Sequence, residues 1–339
     1  MPPGETTASQ REHGGRGDAP ALSVVVLTYN SAATIEVCLD SLVAQDFTDF
    51  DTIVVDDAST DETVSLVSRY ANRLHLSVVP NGSHNIPRGR NIGLTSSNSD
   101  LIAFLDSDDS ATPEWARVIV KTFAERPELA LIGGHFIPDH RTRTAEAIGL
   151  NDATVRQLTA KGVMQFSAAN CAINQRVLPG PVFDEDFRAA EDLELVSRVQ
   201  RLFECSYIPE MQILHTSRDS FGQYAKQMYR YGFMKLYFDY CDRSYRWIDF
   251  VPLVLIVVSV PAGALIGPWW IALAIIPFSL LEALFVVAYQ RCRPAIALLT
   301  FPSWMTKNVA WSAGIAHGIV SLAAHAKTRR WLRAKRAGL

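Results

Sequence analysis

Apolar residues in the first half of the chain come in short continuous runs, each cut off by polar or acidic residues. Ala21 to Leu27 carries three successive valines, the pattern of a strand buried on both faces. It stops at Thr28-Tyr29-Asn30-Ser31. Ile35, Leu39, Leu42 and Val43 then recur at helical spacing, with Asn30 or Ser31 placed to cap the helix. Thr52 to Val55 is a second strand that runs into Asp56-Asp57, and Ser59-Thr60-Asp61-Glu62 opens another helix. Leu76 to Val79 makes a third strand and Leu101 to Leu105 a fourth, followed by a helix from Pro113 to Glu125; Leu131 to Phe136 makes a fifth. Strands alternating with helices predict a mainly parallel, right-handed α/β sheet. Ligands of such sheets gather at the carboxyl ends of the strands, where Thr28, Asp57 and Asp106 to Asp108 fall.

The second half has another pattern. Val251 to Leu281 holds no charged residue. At about 1.5 Å per residue this run is roughly 46 Å long, more than one bilayer core of about 30 Å. Extended to Tyr289, it predicts two membrane crossings with a break at Gly267-Pro268, Trp269-Trp270 at the interface, and Glu282 turned toward a partner helix or a groove. Ala295 to Ala324 is apolar but interrupted by Lys307, Asn308 and His317. Basic residues flank all three segments. If these flanks are cytoplasmic, the third segment lies in the interface or re-enters, and the interfacial reading is the choice. The expected organisation is a disordered lead over 1–20, an α/β domain over 21–232 and an interfacial linker helix over 233–248. A transmembrane hairpin over 249–290, a third apolar helix over 291–326 and a basic tail over 327–339 complete it. The expected location is the inner or cytoplasmic membrane, multi-pass, with the α/β domain in the cytoplasm.

Composition narrows the chemistry. A formal net charge of -3 over 339 residues gives no sign of a nucleic-acid partner. Five scattered cysteines without a C-x-x-C spacing exclude a zinc or disulfide framework and favour a reducing compartment. Neither G-x-G-x-x-G after the first strand nor G-x-x-x-x-G-K-[ST] is present, so a bound nucleotide would be held by side chains and a metal.

Two acidic clusters carry the candidate chemistry. Asp106-Ser107-Asp108-Asp109 crowds three carboxylates onto the loop after the fourth strand. Mutual repulsion makes that costly unless a cation sits among them, and hard oxygens suit Mg²⁺ or Mn²⁺. The plain alternative is a solvated turn in which Asp109 or Ser110 caps the next helix. The second cluster, Glu191-Asp192, opens a helical pattern (Leu193, Leu195, Val196, Val199). A helix N-terminus favours an ionised carboxylate, ready to take a proton from a hydroxyl; capping is the rival there too. Side chains alternate at a strand end, so one of Asp56 and Asp57 faces a ligand, and Asp57 is the choice. Asn170, within Ser167-Ala168-Ala169-Asn170, either lines a pocket or is a satisfied buried amide.

The ordered series S-V-V-V-L-T-Y-N (Ser23 to Asn30), V-V-D-D-A-S-T-D (Val54 to Asp61), R-G-R-N-I-G (Arg88 to Gly93), D-S-D-D and A-E-D-L-E-L (Ala190 to Leu195) resembles the family 2 glycosyltransferases of GT-A fold. The match runs roughly from Leu22 to Tyr231. The resemblance implies a Rossmann-like mixed sheet and a UDP- or GDP-linked sugar donor. It makes Asp108 the principal metal ligand, Asp106 a ribose or metal contact, His215 a further metal ligand, and Asp192, with Glu191, the base. It also places Thr28, Tyr29, Asn30, Asp57, Arg90, Asn91 and Asn170 around the nucleotide and sugar. One base and no candidate covalent nucleophile imply inversion. Gln227-Met228-Tyr229-Arg230-Tyr231-Gly232 is similar to the Q-x-x-R-W motif of processive synthases, with Tyr in place of Trp. The expected acceptor is lipid-linked or a growing glycan, as in bacterial exopolysaccharide and surface-glycan assembly. A polyprenyl-phosphate glycosyltransferase, a processive synthase and a non-catalytic nucleotide-sugar-binding membrane scaffold are the rivals.

Overall fold

The computed structural model describes residues 19–139, 142–150, 167–187, 190–242, 247–266, 270–290 and 294–324. The lead up to Asp18, the Gly267-Pro268-Trp269 break and the basic tail lie outside them.

One eight-stranded sheet, in the order β3-β2-β1-β4-β7-β6-β8-β5, organises the chain. Its strands are β1 (Leu22–Thr28), β2 (Phe50–Asp56), β3 (Leu76–Pro80), β4 (Leu101–Asp106), β5 (Asp109–Ala111), β6 (Leu129–Asp139), β7 (Asn170–Asn174) and β8 (Glu204–Thr216). The half built from β3, β2, β1 and β4 is parallel, as the strand–helix alternation predicts. The other half is mixed: β7 runs antiparallel to β4 and to β6, β6 and β8 are parallel, and β5 is antiparallel to β8. This is the mixed, mainly parallel sheet that the family resemblance implies.

Helices α1 (Ile35–Val43), α2 (Thr63–Ser68) and α4 (Trp115–Glu125) cover one face; α3 (Ile86–Ser96) and α6 (Glu191–Val199) cover the other, and residues 143–150 are helical (α5). Side-chain alternation along β1 feeds both cores: Val24 and Val26 join Trp115, Ile119 and Phe123, whereas Val25 joins Leu94, Leu195 and Val199. That two-sided burial is why the strand reads as unbroken valine. Gly93 of α3 is required by the same packing, since a Cβ there would meet Val25 Cγ1 at 2.4 Å.

The C-terminal third forms a helical layer: α7 (Phe221–Asp242), α8 (Val251–Ile266), α9 (Trp270–Gln290) and α10 (Pro294–Ala324). The boundary expected between 232 and 233 falls inside α7, which is one continuous helix. Phe187, Leu236 and Tyr237 make a buried cluster with Leu193 and Leu322 against it, joining α6 to the layer. Where α7 crosses α10 the backbones nearly touch. A Cβ on Gly314 would lie 2.1 Å from the Tyr229 carbonyl oxygen, and one on Gly232 2.3 Å from that of Trp311. Polar groups are sequestered inside the layer: Asn308 donates to Ser279 Oγ (3.0 Å) and to the Glu282 carboxylate (2.5 Å), and Lys235 pairs with Asp249 at 3.2 Å. Glu282 thus faces a partner helix, as expected.

Among the described residues no helix is long and apolar enough to cross a membrane. The transmembrane hairpin expected over 249–290 is therefore not supported. The 16 residues of α8 rise only about 24 Å, and α9 is interrupted by Pro277, Ser279 and Glu282.

Candidate active site

The carboxyl ends of β1, β2 and β4 lie side by side at one edge of the sheet, and several loop residues near them have left-handed backbone. Asn30 (φ 48), Ala58 (φ 62), His84 (φ 48) and Ala190 (φ 63) are the described non-glycine residues at positive φ. Such geometry persists only where the surroundings enforce it, and it concentrates at functional sites. At Asn30 the enforcement is visible. Its backbone N–H donates to Ser59 Oγ (2.9 Å) and its Oδ1 accepts from Thr60 N–H (2.8 Å), so Asn30 staples the β1 loop to the β2 loop and does not cap α1.

On the β2 side the two aspartates separate as strand alternation requires. Asp56 is buried and accepts from the backbone N–H (3.1 Å) and hydroxyl (2.6 Å) of Ser59, shaping the turn. Asp57 Oδ1 accepts the N–H groups of Ser83 and His84, both at 2.9 Å, while His84 Nδ1 stands 3.5 Å from its Oδ2. The exposed Tyr29 ring meets the His84 ring edge-on at 5.1 Å. Thr28 Oγ1 is buried and has no hydrogen-bond partner among the described residues. Tyr29, Asp57 and His84 therefore make one aromatic and acidic slot. His84 carries no signal in the sequence, being a loop residue outside any periodic pattern.

The acidic corner after β4 is compact. One ligand atom each from Asp106, Asp108 and Asp109 lies within 4.8 Å of the others, close enough to share a cation. Asp109 is not a cap: it begins β5, opposite His215 of β8, and accepts from or donates to His215 Nδ1 at 2.7 Å. Burial pushes the Asp109 carboxyl up to about 6, opposed by the His215 contact. Its Oδ2 is buried and has no hydrogen-bond partner among the described residues. An orphaned carboxylate oxygen beside two further carboxylates fits a hard divalent cation, and a carboxylate on one ring nitrogen is how a histidine is oriented beside a metal. Arg218, which the sequence did not single out, pairs with Asp108 at 3.3 Å. Ser31 Oγ and Ser107 Oγ share a hydrogen bond of 2.8 Å that ties the β1 loop to this corner. Beneath it, Cys38 Sγ donates to the Asp106 carbonyl at 3.6 Å; burial, then the three aspartates, push its thiol well up.

Opposite the corner, Glu191 and Asp192 form the first turn of α6, anchored by Arg198, which bonds Glu194 (2.6 Å) and the Val182 carbonyl (2.6 Å). Burial and the neighbouring Asp192 charge push Glu191 up to about 7, against the pull of Arg90. The Asp192 carboxylate takes the Leu193 N–H at 2.8 Å. Arg90 lies between the two acidic groups, 3.1 Å from Asp106 and 3.9 Å from Glu191.

Two residues expected around the ligand are structural. Asn170 is fully buried: Oδ1 accepts from Trp115 Nε1 (2.9 Å), and Nδ2 donates to the carbonyls of His135 (3.0 Å) and Met211 (3.1 Å). It is the satisfied amide and not a pocket wall. Asn91 clamps the 183–185 segment through Phe183 N–H and C=O and the Glu185 carboxylate, so its amide points away from the slot.

Residues 23–179 match the family described as Glycosyl transferase family 2. Among curated relatives, the poly(ribitol-phosphate) beta-N-acetylglucosaminyltransferase TarS of Staphylococcus aureus is 42% identical over 96 residues, 27% of this chain and 17% of that protein. Validoxylamine A glucosyltransferase of Streptomyces hygroscopicus subsp. jinggangensis is 34% identical over 115 residues, 33% of this chain and 27% of its own length. The chain thus spans well under half the length of these relatives. Over the whole fold it is similar to the mannosyltransferase PcManGT of Pyrobaculum calidifontis, solved with GDP-Man and Mn²⁺ (TM-score 0.58, 20% identity, 89% of this chain and 88% of that one).

Proposed function

We propose that the protein is a metal-dependent, inverting glycosyltransferase that moves a sugar from a nucleoside-diphosphate sugar to a lipid-linked or polysaccharide acceptor at a membrane surface. The observation that carries this reading is Arg90: a single guanidinium reaches both Asp106 and Glu191, so the cation corner and the acid pair open onto one pocket. Mg²⁺ or Mn²⁺ held by Asp106 and Asp108, with His215 and Asp109 behind them, would neutralise the departing diphosphate. Tyr29 and Asp57 take the base, the ring by stacking and the imide by accepting a hydrogen bond. Glu191, held up to about 7, keeps its proton for much of the time near neutrality. That division of labour leaves Asp192 as the carboxylate that takes the acceptor hydroxyl's proton, a role worth about 10²–10⁴-fold in rate.

Exposed apolar side chains on the helical layer, among them Val257, Val258, Leu281 and Leu298, support contact with lipid. The described cysteines are free and buried, in keeping with a cytoplasmic face of the inner membrane. Donor turnover by the purified protein with Mn²⁺ tests the assignment. Asp192→Asn is expected to abolish donor hydrolysis while nucleotide binding, followed by calorimetry, persists. Turnover that survives this change removes Asp192 as base, and a wild type that binds donor but never turns it over makes the protein a binding scaffold.

A further inference from the structure

Arg90 is placed for more than holding a nucleotide. It sits on α3 with its guanidinium almost wholly enclosed (side chain 4% exposed), against the edge-to-face pair of Phe104 on β4 (5.5 Å) and Phe183 (5.9 Å). One terminal nitrogen donates to Asp106 Oδ1 at 3.1 Å and the other to the Ala168 carbonyl at 3.0 Å. Burial works against its charge, yet Asp106 and Glu191 outweigh it and hold the group above the ordinary arginine value. Enclosed in this way, the guanidinium has both terminal nitrogens committed to protein oxygens.

The remaining donor is the informative one. Arg90 Nε is buried and has no hydrogen-bond partner among the described residues, and it stands 3.9 Å from Glu191 Oε1. That gap is about 1 Å too long for a charge-assisted hydrogen bond. Ala190, immediately before Glu191, carries left-handed backbone at φ 63, a strained geometry of the kind that collects at switch regions and ligand clamps.

We infer that Arg90 is a positioning residue, a strut through which filling the Asp106 corner draws the start of α6 inward and sets Glu191 and Asp192 for reaction. The inference rests on the glycosyltransferase reading of the same pocket, and the strut is what it adds. With the corner filled, Asp106 would be held still; Asp106 would hold the guanidinium against its two rings; and the orphan Nε would close on Glu191. Donor occupancy and base alignment become one event, so the base is aligned only while a donor is present to use it.

Hydrogen exchange tests the strut without requiring turnover. With Mn²⁺ and UDP or GDP added, the amides of Glu191 to Leu195 are expected to slow by at least about tenfold in the wild type. In Arg90→Lys, whose ammonium cannot span both carboxylates, the nucleotide and Mn²⁺ still bind within about threefold but the slowing disappears; kcat falls about 10²-fold with the donor KM little changed. Equal slowing in Arg90→Lys overturns the inference. So does a tenfold loss of nucleotide affinity with kcat intact, which makes Arg90 a donor ligand. Should Arg90→Lys fail to fold, Glu191→Ala removes the acceptor at the other end of the same contact and must also lose the response; a retained response overturns the inference. A wild type that binds neither nucleotide with Mn²⁺ removes the reading of the site and the strut together.

Discussion

The two ends of this chain bury apolar residues by opposite rules. In the sheet half each helix segregates its faces: α4 buries Trp115, Ala116, Ile119 and Phe123 and leaves its other side to solvent. In the helical layer α9 is apolar all round, with Ile275, Ala283 and Val286 buried while Leu280, Leu281, Leu284 and Phe285 are exposed. The sheet half needs no further partner to satisfy its pattern. The layer shows surplus apolar surface, and its internal order comes from glycine crossings and a few sequestered polar contacts. Segregated polarity specifies an orientation; uniform apolarity specifies only that water be kept away.

Breaking each half should therefore fail in a different manner. The largest effect belongs to the acidic corner. Asp108→Asn keeps size and packing but removes one charge from the cation cluster, and donor turnover with Mn²⁺ should fall by about 10³-fold or more. The melting temperature should stay within a few degrees, because Asp108 is partly exposed and its pairing with Arg218 is an open one. Unfolding of this variant would show that the corner is structural.

Next comes the crossing in the layer. Gly314→Val drives a side chain into the Tyr229 backbone, which cannot yield, and should cost on the order of 3 kcal/mol in chemical denaturation. Since α7 also packs on α6 through the Phe187 cluster, turnover should decline along with stability. A layer that separates while turnover is kept would show the two halves to be independent.

The smallest expected effect is a slope with pH. Glu191 titrates at about 7 when folded, against about 4.3 for an ordinary glutamate. Between those values the folded protein retains a proton that the unfolded chain has released, so this group's share of stability is full below about pH 4.3 and is lost as pH rises toward 7. Glu191→Gln should flatten that decline by on the order of 1–3 kcal/mol between pH 4.5 and 7.5, measured as denaturation midpoints. An unchanged slope would mean that Glu191 is ionised in the folded state.

The parallel half of the sheet was legible in the sequence because strands buried on both faces leave unbroken valine runs, and because each run ends in the residues that face the ligand. The antiparallel strands were not. β5 has only three residues, β7 is a buried Asn-Cys-Ala-Ile-Asn, and β8 alternates weakly beside charged positions. In the site, the acidic clusters were legible as charge crowding and Asp57 as strand alternation. Arg218 and His84 were not, since each reaches the pocket from a loop that only the fold brings there. Asn170 and Asn91 look like ligand-binding amides in one dimension, and only their full sets of buried partners show them to be braces. The apolar run after Val251 does not give the crossings it predicts, for a related reason: hydropathy records avoidance of water and is silent on how that shelter is provided.

One sulfur gives the acidic corner a built-in witness. Cys38 lies behind Asp106 and touches its carbonyl, so an electrophile in solution can meet that atom only after the wall around the pocket has parted. The protein thus carries a native timer of its own breathing, at the place where occupancy by a cation ought to slow it most.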